Sequence, residues 1–407
     1  MDKYRSSAII AHRVKWLPDV STQHMDHRTV FPACCPTTGR TTVSPDTNLD
    51  GPRDETKLTF LEEIGGVKTA RRERISLQLA RSLLKEGTSP PETSDQLLKL
   101  ARKNKVLLRS AHLLGLSSKD IEDEKAGVEE AFKLQDEMSE VFERNGISHV
   151  VIKSFDSLPD VGHDIDFLVP RKAEMEKARD LLLGKFKART QALTHCDKLL
   201  GKFSCFLPGY THDFELYPTI SQLGEVYLDP EEVLQYRKKE VIEGREVWTT
   251  SNEDRVLIRV IHTIFRHNFI KLSDIIDFLK LAQNSAPEKV LDKVEAANIC
   301  AAFLFYLGCI QRFLLACEVD NPSFTRLRDE SATRFGPDRL KFLSKDRLVL
   351  PYRIPNRALF IIFMLKAVRE AAQGRWKSSL DCAVAPALVV LDFLSAAVRS
   401  GGRGMVW

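Results

Sequence analysis

Along most of this chain, apolar residues recur at helical spacing. In two short stretches they alternate with polar ones at a period of two. The first is Ile147 to Val169, which reads as strand, polar turn, strand. In its second strand, His163-Asp164-Ile165-Asp166-Phe167-Leu168-Val169, Asp164 and Asp166 fall on one face and Ile165 and Phe167 on the other. The second stretch is Tyr210 to Tyr217, where Asp213 and Glu215 share one face and Phe214 and Leu216 the other. Before them, Lys119–Arg144 predicts an amphipathic helix with Phe132, Leu134, Met138, Val141 and Phe142 on its apolar side, ended by Asn145-Gly146. Between them lie a predicted helix, Lys172–Lys185, and a predicted strand, Lys202–Phe206.

The flanks read as helices. Leu77, Leu79, Leu83 and Leu84, then Leu97, Leu98, Leu100, Leu107 and Leu108, mark a helical lead-in broken at Gly87-Thr88-Ser89-Pro90-Pro91. After Pro218, Asp229-Pro230 opens a helix and Val241–Trp248 a hairpin around Glu243-Gly244. Ser251 caps a strong helix to about His267, and another begins at Ser273. Residues 287–398 read as helices with a Pro- and Arg-rich interruption from Asn321 to Pro355. The expected organisation is therefore a poorly ordered segment 1–55, a helical lead-in 56–118, an α/β core 119–250 and a helical region 251–407. The fold class is α+β, with a mixed sheet.

Composition adds bounds. The 407 residues are 43% hydrophobic and 29% charged, as in a globular protein. The net charge of +4 is too weak to indicate nucleic acid by itself. Eight cysteines without a C-x-x-C pair predict reduced thiols and a cytoplasmic setting. The longest apolar run, Ala296–Ile310, falls short of the roughly 18–20 residues of a membrane span and predicts a buried helix, with no membrane partner.

The two acidic stretches carry the candidate chemistry. Carboxylates against an apolar core are costly unless a cation compensates them, and hard oxygen ligands suit Mg²⁺ or Mn²⁺. If the strands are neighbours, Asp164, Asp166, Asp213 and Glu215 converge on one spot suited to phosphoryl or nucleotidyl chemistry. His163 and His212 fall on the opposite face and predict packing, as do His262 and His267. Arg255, Arg259 and Arg266 read as a solvated face that could alternatively reach a phosphate. Asp274 reads as a helix cap and Asp277 as a surface acid.

Val150-Val151-Ile152-Lys153-Ser154, then His163-Asp164-Ile165-Asp166-Phe167-Leu168-Val169, then Asp213-Phe214-Glu215-Leu216 and the helices around His262 and Asp274, together resemble the nucleotidyltransferase superfamily. The likeness is strongest to its poorly characterised "nucleotidyltransferase family protein" group and spans roughly Val141–Ala282. The resemblance implies a mixed sheet with helices behind it. It also implies metal-dependent transfer of a nucleoside monophosphate from an NTP to an acceptor hydroxyl on RNA, a protein or a small molecule. Carried over by position, Asp164 and Asp166 bind the metals, Asp213 is the third carboxylate, and Lys153 and Ser154 touch the triphosphate. Where the family has glycine after the first strand, this chain reads Lys153-Ser154-Phe155, and a serine Cβ crowds a close backbone approach to phosphate. That departure supports a second reading, a catalytically silent member binding nucleotide or a partner protein. A third is an RNA-binding protein using the basic helices.

Overall fold

The computed structural model describes residues 55–85, 94–191, 193, 195–222 and 225–399. The expectation for the segment 1–55 falls on residues that, up to 54, lie outside the described residues, as does the break at Gly87–Pro91. In chain order, α1 (Glu55–Leu84), α2 (Asp95–Lys103) and the short α3 (Leu107–Ser110) precede α4 (Glu122–Arg144). Strands β1 (Val150–Val151) and β2 (Asp164–Leu168) follow, then α5 (Lys172–Gly184), β3 (Arg189–Thr190), α6 (His195–Leu199), β4 (Phe203–Phe206) and β5 (Asp213–Tyr217). A small hairpin, β6 (Ile220–Gln222) and β7 (Glu225–Leu228), leads through α7 (Pro230–Gln235) to the hairpin β8 (Lys238–Ile242) and β9 (Arg245–Thr249). Then come α8 (Asn252–Ile261), a π-helical turn over His262–His267, β10 (Phe269–Ile270), α9 (Leu272–Gln283), α10 (Pro287–Ala296) and α11 (Cys300–Cys317). The last elements are α12 (Pro322–Phe335), β11 (Tyr352–Arg353), α13 (Asn356–Ala372) and α14 (Trp376–Arg399).

Seven strands form one mixed sheet in the order β3-β4-β5-β2-β1-β9-β8, so the fold is α+β. At its centre β2 and β5 run parallel, with Asp164 opposite Asp213 and Asp166 opposite Glu215. Period-two alternation puts Ile165, Phe167, Phe214 and Leu216 on the face covered by α4 and α5. There they pack with Phe142, Met138, Met175 and Leu182. His149 stacks on Phe167 at 5.0 Å and Phe142 meets that ring edge-on at 5.7 Å. On the opposite side Val150, Ile152, Leu168 and Tyr217 join a larger core built by the helices on both flanks, among them Leu97, Ala101 and Leu107 from the lead-in and Phe278, Phe303 and Phe313 beyond residue 251. Both faces of the sheet are thus covered.

Two expectations change. The stretch Asn321–Pro355 is not simply an interruption: Asn321 caps α12 by accepting from the Phe324 amide at 2.9 Å, Pro322 takes the first turn, and Phe324 and Leu327 are buried. The apolar run extends to the 18 residues of α11, long and apolar enough to cross a membrane by length and composition. Two thirds of it, 67%, is buried inside the protein. Cys205, Cys300, Cys309, Cys317 and Cys382 are free, buried thiols.

Candidate functional site

Parallel pairing of β2 with β5 brings together side chains 49 or more positions apart in the chain. Ligand oxygens of Asp164, Asp166 and Glu215 lie within 4.8 Å of one another. Asp166 and Glu215 are buried, and Asp164 is half-buried at the strand end. Asp213, directly beside Asp164, stands outside this trio, and its carboxyl engages Gln191 instead. The sequence could not separate Asp213 from Glu215, because both occupy the same face.

Asp166 Oδ1 is buried and makes no hydrogen bond. It is ion-paired with the Lys153 ammonium at 3.2 Å, which also lies 3.6 Å from Asp164 Oδ2 and 3.0 Å from His262 Nε2. Burial lifts the Asp166 carboxyl above its usual range, and the neighbouring Asp164 and Glu215 charges lift it further, against the pull of Lys153. Burial also acts against Asp164, but Lys153, Lys105, Arg266 and Lys202 together hold its carboxyl well below the usual value.

Ser154 does not offer a free hydroxyl. Its Oγ accepts from the Asp166 amide at 2.8 Å and donates to Asp166 Oδ2 at 3.3 Å, so it orients a carboxylate. Lys153 has φ +140°, a backbone region natural to glycine and strained for any other residue. Such strain persists only where the surroundings enforce it, and here they do. In the turn that follows, Asp156 pairs with Arg255 at 2.7 Å and Arg259 at 3.2 Å, Ser157 donates to Asp277, and Asp160 accepts from the Leu108 and Arg109 amides at 2.8 and 3.1 Å. The glycine conformation is therefore present at this position although the glycine is not.

Several residues of the site were not singled out from the sequence. Lys202 is buried, with Nζ 2.6 Å from Glu215 Oε1, and Tyr217 donates to Glu215 Oε2 at 2.6 Å. Arg266 in turn donates to the Tyr217 hydroxyl at 2.9 Å. The alternation along β5 continues to Tyr217, which is the signal that could have placed it beside Glu215; nothing local marks Lys202. His262 and His267, expected to pack, meet ring to ring at 4.2 Å beside Lys153, and burial holds both imidazoles neutral. His163 is exposed, whereas His212 is buried on the far face, as expected, against Glu130 at 2.9 Å. Arg255 and Arg259 are not a solvated face: Arg255 pairs with Asp156 and Glu240, and Arg259 with Asp156, Asp274 and Asp277. Asp277, expected at the surface, is 1% exposed.

Among known proteins, residues 130–314 match a family described as an uncharacterised nucleotidyltransferase. No curated protein and no solved structure matches the chain.

Proposed function

We propose that the protein transfers a nucleoside monophosphate from an NTP to an acceptor hydroxyl in a metal-dependent reaction, a reading supported by the match of residues 130–314 to an uncharacterised nucleotidyltransferase family. The observation that carries this reading is the meeting of Asp164, Asp166 and Glu215 oxygens within 4.8 Å, one of them buried without a hydrogen bond. An all-oxygen, partly buried donor set of this kind fits Mg²⁺ or Mn²⁺, and Asp164, Asp166 and Glu215 would hold the ion. A bound divalent ion supplies charge neutralisation and orientation of the triphosphate.

The chain's own groups have distinct tasks. Ser154 fixes Asp166, and Lys202 with Tyr217 fixes Glu215, so neither carboxylate needs to reorganise during the reaction. Lys153, displaced from between the two aspartates, carries its charge to the triphosphate. The acceptor oxygen bonds to the α-phosphorus as the α–β phosphate bond breaks and pyrophosphate leaves. Asp213, next to Asp164 and less enclosed than Glu215, takes the acceptor's proton.

A second reading is a silent binder of nucleotide or of a partner protein. It is favoured by one observation: the Lys153 ammonium already sits between Asp164 and Asp166. Incubation with each labelled NTP and Mg²⁺ separates the two. The transferase releases labelled pyrophosphate and labels RNA, protein or a small molecule, and Asp164→Ala lowers the rate on the order of 10²-fold or more. Mg²⁺-dependent stabilisation by NTP without any pyrophosphate release would leave only the binder.

A further inference from the structure

Two lysines beside the carboxylates form no direct ion pair among the described residues. Lys105 follows α2, in the lead-in and outside the segment matched to the family, and Lys271 precedes α9. A buried asparagine clamps them together. The Asn104 side-chain oxygen accepts from the Leu272 amide at 3.0 Å, its main-chain carbonyl accepts from the Ser273 amide at 3.3 Å, and its own amide group donates to Leu100 O at 2.9 Å. Asn104 thereby caps the first turn of α9 and fixes the neighbouring Lys105, which takes a left-handed φ of +53°.

The Lys105 ammonium reaches the site. A Cβ on Gly162 would stand 2.9 Å from Lys105 Nζ and 3.0 Å from Asp164 Oδ1, so lysine and aspartate face each other across a gap that only glycine leaves open. Lys271 is half-buried, with its ammonium over the Phe269 ring at 5.3 Å. Among the described residues neither ammonium has a carboxylate within ion-pair distance. Holding like charges together in a partly buried place is unfavourable unless an anion joins them. Lys271 shows the effect: its ammonium is pulled down to about 8, first by burial and then by Lys105, against the opposite pull of Asp274 and Asp164.

We propose that Lys105 and Lys271 form a subsite for a phosphate group adjoining Asp164. Its part in a transfer reaction rests on the reading above, but the anion site itself does not. Two phosphates could occupy it: the triphosphate of the donor, or a phosphate ester carried by the acceptor. An ammonium–phosphate contact is a charge-assisted hydrogen bond, and loss of one lowers affinity about tenfold or more.

Calorimetric titration of the full-length protein without metal tests this, with tripolyphosphate as the donor probe and glycerol 3-phosphate as the acceptor probe. Lys105→Gln and Lys271→Gln should each weaken one probe about tenfold, Lys105→Arg and Lys271→Arg should retain it, and Lys172→Gln on the exposed start of α5 should change nothing. Weakened tripolyphosphate assigns the subsite to the donor, and weakened glycerol 3-phosphate to the acceptor. Failure of the wild type to bind either probe, or equal binding by folded Gln variants, overturns the proposal. If transfer is never observed but anion binding follows the two lysines, the enzymatic reading falls and this site stands.

Discussion

At the scale of single residues, buried titratable groups set most of what can be measured. His149 is enclosed by Phe142 and Phe167; its Nδ1–H donates to the Ile147 carbonyl at 3.2 Å, which leaves Nε2 to accept from Ser139 Oγ at 3.0 Å. Burial lowers its pKa to about 4 from the ordinary 6.5. Between these values the unfolded chain binds a proton that the folded one refuses, so stability is full above pH 6.5 and falls as pH drops toward 4. The loss attributable to this group is about 3 kcal/mol. Urea titrations across that range should show it, and His149→Gln should flatten the slope; an unchanged slope would exclude His149 as its source. At the candidate site, Glu215→Gln should abolish metal binding together with turnover, because Glu215 belongs to the converging trio. Asp213→Asn should lower turnover while leaving metal affinity near that of the wild type. Isothermal titration with Mn²⁺ beside a rate measurement distinguishes the two carboxylates, and a reversed pattern would return Asp213 to the metal.

At the scale of elements, the turn after β1 is held by a buried charge network linking it to α3, α8 and α9. Arg259 reaches Asp274 at 2.9 Å and both Asp156 and Asp277 at 3.2 Å, while Arg109 reaches Asp277 at 3.0 Å. Arg259→Met removes one cation shared by three carboxylates and should cost about 3–5 kcal/mol, read as a lower urea midpoint. A shift below 1 kcal/mol would mean that water or Arg255 already compensates these acids. The same variant should lower activity beyond its loss of stability, since this turn enforces the Lys153 backbone. On the other side of the sheet, Glu130 of α4 accepts from the Thr211 amide and hydroxyl and from the His212 amide and ring. These bonds outweigh burial and bring its pKa down to about 2, and they fix the start of β5 just before Asp213. The alternation along β2 and β5 was legible because period two needs no partner to be seen. The charge network was not: Arg255, Arg259 and Asp277 lie on helices whose polar positions look like a solvent-facing surface until α3 and the turn cover them.

At the scale of the whole molecule, the lead-in helices and those beyond residue 251 share one core over the side of the sheet that carries the acids. A buried cluster adds to this assembly: Lys366 of α13 lies 3.1 Å from Glu225 of β7 and 2.9 Å from Glu370, while Glu370 accepts from Asn298 at 2.9 Å. Ligand at the carboxylates therefore touches a structure that unfolds around it. NTP with Mg²⁺ at a hundred times its dissociation constant should stabilise the fold by about 2.7 kcal/mol, and Asp164→Ala should remove that gain. Equal stabilisation of both proteins would place the nucleotide elsewhere.

The sequence by itself determined which residues could face which way. Alternation assigned Asp164, Asp166, Asp213 and Glu215 to polar faces of two strands, and the capping residues Asp229 and Ser251 opened their helices. Only the tertiary structure decided which of these carboxylates meet, because convergence depends on the parallel register of β2 with β5 and on what each side chain finds beside it. It also decided that Lys202, Tyr217, Lys105 and Lys271 stand around them, since those neighbours arrive from distant parts of the chain and leave no periodic trace in it.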